Sequence, residues 1–398
     1  MSIAVIDEKK EKFLQALESN FNASDLLSVT DGLEFPTRRT EKWKYTRVNA
    51  IAKEAWNTGE GIIEDIEEFN PFPDLDAVKI YIANGQVAFI SEDLPDGLEI
   101  ESKHDESGAL QRSNIFSALN YALNPVALNI SAAKNQIIAK PVHIIFVNYG
   151  ELTTAQTRVK ISAEQSSYLH VVQSFVSADE SKKWVNHLNE SDVHANAKLT
   201  ISKWQALGEN GYMMTDEFSK QEADSTYTSN VITKNGTWTR NGSWSELNGK
   251  NGECNLNGIY SPTGKEHVDN GTVIDHKVPH CESNELYKGV IYDSASGVFN
   301  GKVFVRPDAQ LTNAFQQNSN IVMTENGTMN SKPELEIYAD DVKCSHGSTT
   351  GQFDDEALFY LMARGISKSN AKEMLVTAFF QEVLDEMGVE VFEEIISQ

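Results

Sequence analysis

The spacing of apolar positions changes character along the chain. In residues 8–21, Phe13, Leu14, Leu17 and Phe21 fall on one helical face with charges opposite, which predicts an amphipathic helix. Between residues 78 and 89 the period drops to two: Val78, Ile80 and Ile82 alternate up to Asn84-Gly85, and Val87 and Phe89 follow, as in a β-hairpin. Phe116 to Leu123 reads as another short helix, ended near Asn124-Pro125.

From about Ala127 to Val342, short alternating runs recur, among them Val142, Ile144 and Phe146; Leu169 and Val171; Leu199 and Ile201; and Val303 and Val305. Asn235-Gly236, Asn241-Gly242, Asn248-Gly249 and Asn251-Gly252 are expected turns between them. Many short strands without intervening amphipathic helices predict a mainly β region. On pattern alone sandwich, barrel and solenoid stay open, and no fixed-period repeat selects the solenoid.

Leu335, Ile337 and Ala339 alternate as a half-buried strand, and Cys344 and His346, two residues apart, project to one side if the backbone stays extended. Gly347 to Gly351 reads as a loop. Asp354, Asp355 and Glu356 then suit a helix N-terminus, Leu358, Leu361 and Met362 recur at helical spacing, and Arg364 with Gly365 reads as the stop. A second helix is expected with Ser369 or Asn370 as cap, Met374, Leu375, Ala378, Phe379 and Leu384 as its apolar stripe, and Gly388 as its end. A short tail helix through Val391 and Ile395 follows. The expected division is a helical region with a hairpin over 1–125, a β core over 126–348 and a helical end over 349–398.

Charge narrows the partners. The chain of 398 residues carries 34 Lys and Arg against 58 Asp and Glu, a net charge of −24 that repels phosphate backbones and anionic lipid. Nucleic acid and membrane surfaces are therefore not its expected partners. No apolar run reaches the roughly 20 residues of a membrane span, and MSIAVIDEKK lacks the form of an export signal, so the expected compartment is the cytoplasm. The three cysteines, Cys254, Cys281 and Cys344, fit a reducing compartment and fall short of the four that commonly hold an iron-sulfur cluster. One segment runs against the acidic balance: Pro36 to Lys53 holds Arg38, Arg39, Lys42, Lys44, Arg47 and Lys53 against Glu41, with Trp43 and Tyr45. In so acidic a chain these cations are expected to find internal charge partners.

Candidate chemistry is sparse. Cys344 and His346 offer a soft sulfur beside an imidazole, enough for part of a metal site and equally readable as a packed thiol and a hydrogen-bonded histidine. His276, His280 and Cys281, with His267 and Asp269 upstream, form a second cluster, but Pro279 makes helix improbable and the spacing proves little. There is no Walker-type phosphate loop, Gly-x-Ser-x-Gly elbow or His-Glu-x-x-His helix, which lowers the enzyme reading.

The run ADDVKCSHG, then TTGQ, then LFYL-x-ARGI, between Leu335 and Ile366, resembles the C-terminal signature of the SufB/SufD family of iron-sulfur cluster assembly proteins. PTRRTEKWKYT at residues 36–46, the stretch His267–Gly301 and VRPDAQLTNAFQ at 305–316 are similar to further family segments. SufB carries Glu-His-Glu where this chain has Cys344, Ser345 and His346, so the resemblance lies on the SufD side. It implies a right-handed parallel β-helix flanked by helical regions, and a non-catalytic scaffold that pairs with a SufB-like chain and docks a SufC-like ABC ATPase. It also implies His346, with Cys344 as the weaker candidate, at the interface where a transient cluster is built and iron supplied, and Phe359, Tyr360, Arg364 and Gly365 in ATPase docking. No cofactor is expected to stay bound to the isolated chain; flavin binding and homodimerisation without SufB are left open. The alternatives are a cupin-like metal-dependent oxidoreductase using His276, His280 and Cys281, and a β-helix polysaccharide lyase or hydrolase, which the acidic balance disfavours.

Overall fold

The computed structural model describes residues 3–23, 25–104, 114–124 and 126–387; Gly388 and the expected tail helix lie outside them. The N-terminal part comprises helices α1 (Ile3–Phe21), α2 (Leu26–Val29) and α3 (Asn49–Ala52), strands β1 (Asn57–Thr58), β2 (Val78–Ala83), β3 (Gln86–Ile90) and β4 (Leu98–His104), and helix α4 (Ile115–Leu123). Sixteen strands follow: β5 (Val126–Ala132), β6 (Val142–Asn148), β7 (Thr153–Ala163), β8 (Tyr168–Ser177), β9 (Lys183–Val193), β10 (Lys198–Ala206), β11 (Gly211–Gln221), β12 (Thr226–Asn235), β13 (Trp238–Leu247), β14 (Glu253–Tyr260), β15 (His267–His276), β16 (Glu282–Ile291), β17 (Ser296–Val305), β18 (Asn313–Val322), β19 (Thr328–Ile337) and β20 (Lys343–Gln352). Helices α5 (Asp355–Ala363) and α6 (Lys368–Met387) close the described chain.

Among β5–β20, odd-numbered strands pair with odd and even with even, all parallel, in two sheets. Each strand is bonded to the one a full turn later, so the chain winds as a parallel β-helix of about eight turns. The hairpin β2–β3 extends one sheet through β6, and β4 pairs antiparallel with β5 at the edge of the other. The register explains why the sequence shows no fixed period: a turn takes 30 residues from Thr153 to Lys183, 26 from Tyr212 to Trp238 and 32 from Ser296 to Thr328. What repeats is backbone. Asn135, Ser166, Asn196, Asp224, Asn251, His280 and Leu311 all take a left-handed conformation at the same corner of successive turns. Six of these seven N–H groups bond a carbonyl of the next turn, as Ser166 does to Ala195. Asn241-Gly242, expected as a turn, instead lies inside β13, where the neighbouring strands satisfy its backbone.

Parallel in-register stacking places like positions of successive turns above one another, about 4.8 Å apart. In the early turns these inward rows are apolar, as with Phe146 stacked on Phe175 at 4.4 Å. In later turns small and large residues alternate: Tyr287 fills the space a Cβ on Gly258 would need, and Tyr260 does the same beside Gly289. Helix α1 buries Phe13, Leu14 and Leu17, with Trp43, Trp56 and Phe116, against Trp184 and Trp238 on one outer face of the solenoid. Asn114 caps α4 reciprocally with Ser117. The helical regions therefore have no core apart from the one they share with the sheets.

Four histidines, three buried and His170 half-buried, bond hydroxyls: His143 Nε2 to Ser174 Oγ at 2.8 Å, His170 to Ser202 at 3.0 Å, His276 to Ser283 at 2.9 Å and His187 Nδ1 to Thr157 Oγ1 at 2.8 Å. Burial pushes them down to about 3 for His143 and His187 and about 4 for His170 and His276. The folded state holds them neutral, whereas the unfolded chain protonates near pH 6.5, so their contribution is complete above that pH and is lost as pH falls toward 4. We expect stability to fall below pH 6.5 with a slope approaching about 1.4 kcal/mol per pH unit for each histidine. His170→Gln should remove one histidine's share of that slope in denaturant titrations between pH 7.5 and 4.5; an unchanged slope contradicts the assignment.

Candidate functional site

The last turn of the solenoid has nothing stacked on it among the described residues. Strands β19 and β20 end their sheets, and their outer edges carry unpaired backbone N–H and C=O groups. In β18 alternate residues Ala314, Gln316, Asn318 and Asn320 point inward and are buried. Their partners in β20 are Cys344, His346, Ser348 and Thr350, which continue the same inward rows one layer further out. Cys344 and His346 thus lie on one side of one strand, as their spacing predicts. The expected loop from Gly347 to Gly351 is instead the second half of β20, because pairing with Gln317–Ile321 supplies its hydrogen bonds.

The row under His346 runs Gln316, Glu285, Leu256, Ser229, Ile201, read back through successive strands. His346 is exposed, and its side chain makes no hydrogen bond within the described residues. Beneath it Gln316 Nε2 donates to Glu285, and burial pushes the Glu285 carboxyl up to about 7. Gly301 leaves the room that the Gln316 amide occupies. Across the opening Ser348 Oγ donates to Ser331 Oγ at 2.7 Å, making the middle of the end face polar. Cys344 sits toward the apolar corner, half-buried against the core with Leu335 and Val342, and burial raises its thiol. Cys254 and Cys281 are fully buried.

No group of three or more His, Cys, Asp or Glu residues among the described residues is arranged to hold a metal. Cys344 and His346 can contribute two ligands between them, fewer than the four that commonly hold a cluster. The second cluster does not assemble. His276 is committed to Ser283, while His280 is an exposed corner residue at φ +63°, a conformation the winding imposes. His267 and Asp269 both bond Thr46 Oγ1, at 2.9 Å from His267 Nε2, while Arg240 pairs with Asp269 and stacks 4.1 Å from the Trp43 ring. These contacts fasten the 36–46 segment to the solenoid.

At the other candidate surface, Asp354 caps α5 by accepting from the N–H groups of Glu356 and Ala357, both at 3.0 Å. Arg364 and Gly365 end the helix, with Gly365 at φ +90°. Phe359 is 74% exposed and Tyr360 56%, with the Arg364 guanidinium 4.3 Å over the Tyr360 ring. Helix α6 starts slightly earlier than expected, Ser367 Oγ accepting from Asn370 N–H at 3.3 Å. Its buried stripe is Phe380, Val383, Leu384 and Met387, packed on Trp204, Ile232 and Val290, whereas Met374 is exposed. Mainly the distal half of α6 docks on the sheet. Sequence reading missed Gln316 and Glu285 as site residues, since nothing in the spacing ties residues 285, 316 and 346 together until the turn lengths are known.

Residues 146–379 match the family model described as "SUF system FeS cluster assembly, SufBD core domain". The chain is 29% identical to the iron-sulfur cluster assembly protein SufD of Escherichia coli, over 88% of this chain and 85% of the relative. It is 27% identical to the chloroplastic protein ABCI7 of Arabidopsis thaliana, over 92% and 81%, and 27% identical to SufD of Bacillus subtilis, over 73% and 67%.

The Glu285 carboxyl tests the polar row. Its pKa in the fold lies above that of the unfolded chain, so stability is complete below about pH 4.3 and is lost as pH rises through about 7. Glu285→Gln should therefore be more stable than wild type at pH 8.5, by on the order of 3 kcal/mol, with the difference shrinking toward pH 5. Urea titrations at the two pH values check this, and a pH-independent difference contradicts it.

Proposed function

The chain belongs to the SufBD family of the SUF iron-sulfur cluster assembly system, and from that premise we propose that it is a non-catalytic scaffold subunit, paired with a SufB-like chain through the open end of its solenoid. The observation that carries this reading is the position of His346: an inward row ends there at an uncapped face, with a free imidazole and unpaired β-edges beside it. An open edge of this kind favours another chain that continues the stacking and hydrogen bonding.

In this reading the cluster is cargo. Neutral imidazole nitrogen and thiolate sulfur are both iron ligands, so His346, with Cys344 as a weaker second, supplies part of a coordination shell that the partner completes. Gln316, anchored on Glu285, supports the floor beneath His346. A site divided between two chains binds its cargo only while they are apposed, and it opens when they are moved apart.

The movement is assigned to an ABC-type ATPase of the SufC class, docked on α5. The support is chemical: Phe359 and Tyr360 form an apolar patch on a helix that contributes little to the core, beside Arg364 and the Gly365 stop. An aromatic pair with an arginine is the composition of an interface anchor.

Co-expression with a SufB-like chain and the ATPase separates the two surfaces. Phe359→Asp with Tyr360→Asp should lose the ATPase while retaining the SufB-like chain. His346→Ala should retain both and lower cluster yield in reconstitution about 10-fold or more, read as iron and acid-labile sulfide. Normal yield from the His346→Ala complex would overturn the site.

A further inference from the structure

The basic stretch at residues 36–53 is expected from its sequence to find internal charge partners, and its arginines do not. Lys9, Arg38, Arg39 and Arg47 line a cavity of about 510 Å³ between α1 and the loop preceding α3, and no Asp or Glu among the described residues lines it. None of the four forms an ion pair within the described residues; Lys9 Nζ reaches only the neutral Asn49 Oδ1, at 3.5 Å. Of the two nearby carboxylates, Glu41 pairs with Lys332 at 2.5 Å, while Glu34 accepts from Thr40 Oγ1 of the same loop at 2.6 Å and lines the neighbouring cavity with Lys42 and Arg240. In a chain with 58 acidic residues and a net charge of −24, a pocket with four unneutralised cations is an exception that the fold maintains.

The loop carrying the arginines is held in place. Thr37 N–H donates to Thr40 Oγ1 and Arg39 N–H to Thr37 Oγ1, both at 3.1 Å, while Phe35, Trp43, Thr46 and Val48 are buried on either side. A ligand would therefore meet a backbone that is already ordered and would bear little of that entropic cost. The cavity falls within the range of about 300–1,000 Å³ typical of small-molecule sites, and with Arg38, Arg39 and Arg47 exposed around it, it is a half-open cleft of a size for a small ligand. Guanidinium forks match phosphate oxygens in pairs. The field of the distant acidic residues is screened beyond roughly 8 Å at physiological salt, which leaves the four local cations dominant.

We propose that this cavity binds a small phosphorylated ligand with at least two phosphate groups, through Arg38, Arg39, Arg47 and Lys9. The site is independent of the His346 face and of the α5 surface.

Inorganic pyrophosphate and ADP are titrated separately into the full chain by isothermal calorimetry at about 0.15 M salt. The expected result is one saturable site per chain with a Kd below about 1 mM. Arg39→Ala with Arg47→Ala should weaken it about 10-fold or more, and Arg38→Ala alone measurably, while Lys134→Ala, at an exposed cation elsewhere, leaves it unchanged. Circular dichroism of each variant confirms folding. Tighter binding of ADP than of pyrophosphate identifies a nucleotide, and equal or weaker binding identifies a free polyphosphate. Absence of saturable binding by both probes, or equal loss in the Lys134 control, overturns the proposal.

Discussion

Parallel stacking of unequal turns is the constraint from which the remaining structure follows. Each strand pairs with the one a full turn away in sequence, so every inward side chain is covered by its counterpart in the next turn. Burial is then continuous along the axis and ends only where the winding ends. At the start, β3 and β4 pair antiparallel with their neighbours and turn the edges aside. At the finish, β20 has a neighbour on one edge only among the described residues, and the inward rows that bury Ala314 and Gln316 deliver Cys344 and His346 to the end of the winding. Exposure of His346 is thus a consequence of being last, on a strand whose counterparts are interior.

The change in interior character along the axis has a physical consequence. Phe146 and Phe175 exclude water, whereas Glu285, Gln316, Asn318 and Asn320 form a bonded polar interior beneath the open end. Buried polar groups cost stability unless satisfied, and here they are satisfied in part: Gln316 donates to Glu285 and Asn320 to Asn318, while one oxygen each of Glu285 and Gln316 has no partner among the described residues. A polar interior under the open end fixes the orientation of its floor, which an apolar packing would do less specifically.

The sequence discloses this arrangement unevenly. The two-residue spacing of Cys344 and His346 suffices to put both on one side of a strand, because strand parity needs no tertiary information; that strand is β20, whereas the alternation at Leu335 and Ile337 belongs to β19, with residues 338–342 lying between the two. Gly347 to Gly351 reads as a loop because composition cannot express hydrogen bonds from a strand thirty-odd residues earlier. His280 looks like a ligand candidate, but its position is set by a corner that every turn must make. The solenoid itself is hidden by turns of 26 to 32 residues, and its choice over a sandwich or barrel comes from family resemblance. The buried stripe of α6 differs from the expected one because the helix docks mainly by its distal half.

The central claim is that His346 contributes a nitrogen to a cluster completed by a second chain. The most direct measurement is pulsed electron paramagnetic resonance on the reduced cluster of the reconstituted complex, with this chain alone labelled with ¹⁵N-histidine. If His346 is a ligand, a ¹⁵N coupling to the cluster is expected, and it disappears in His346→Ala. A cluster assembled at full yield without any coupling from the labelled chain would contradict it.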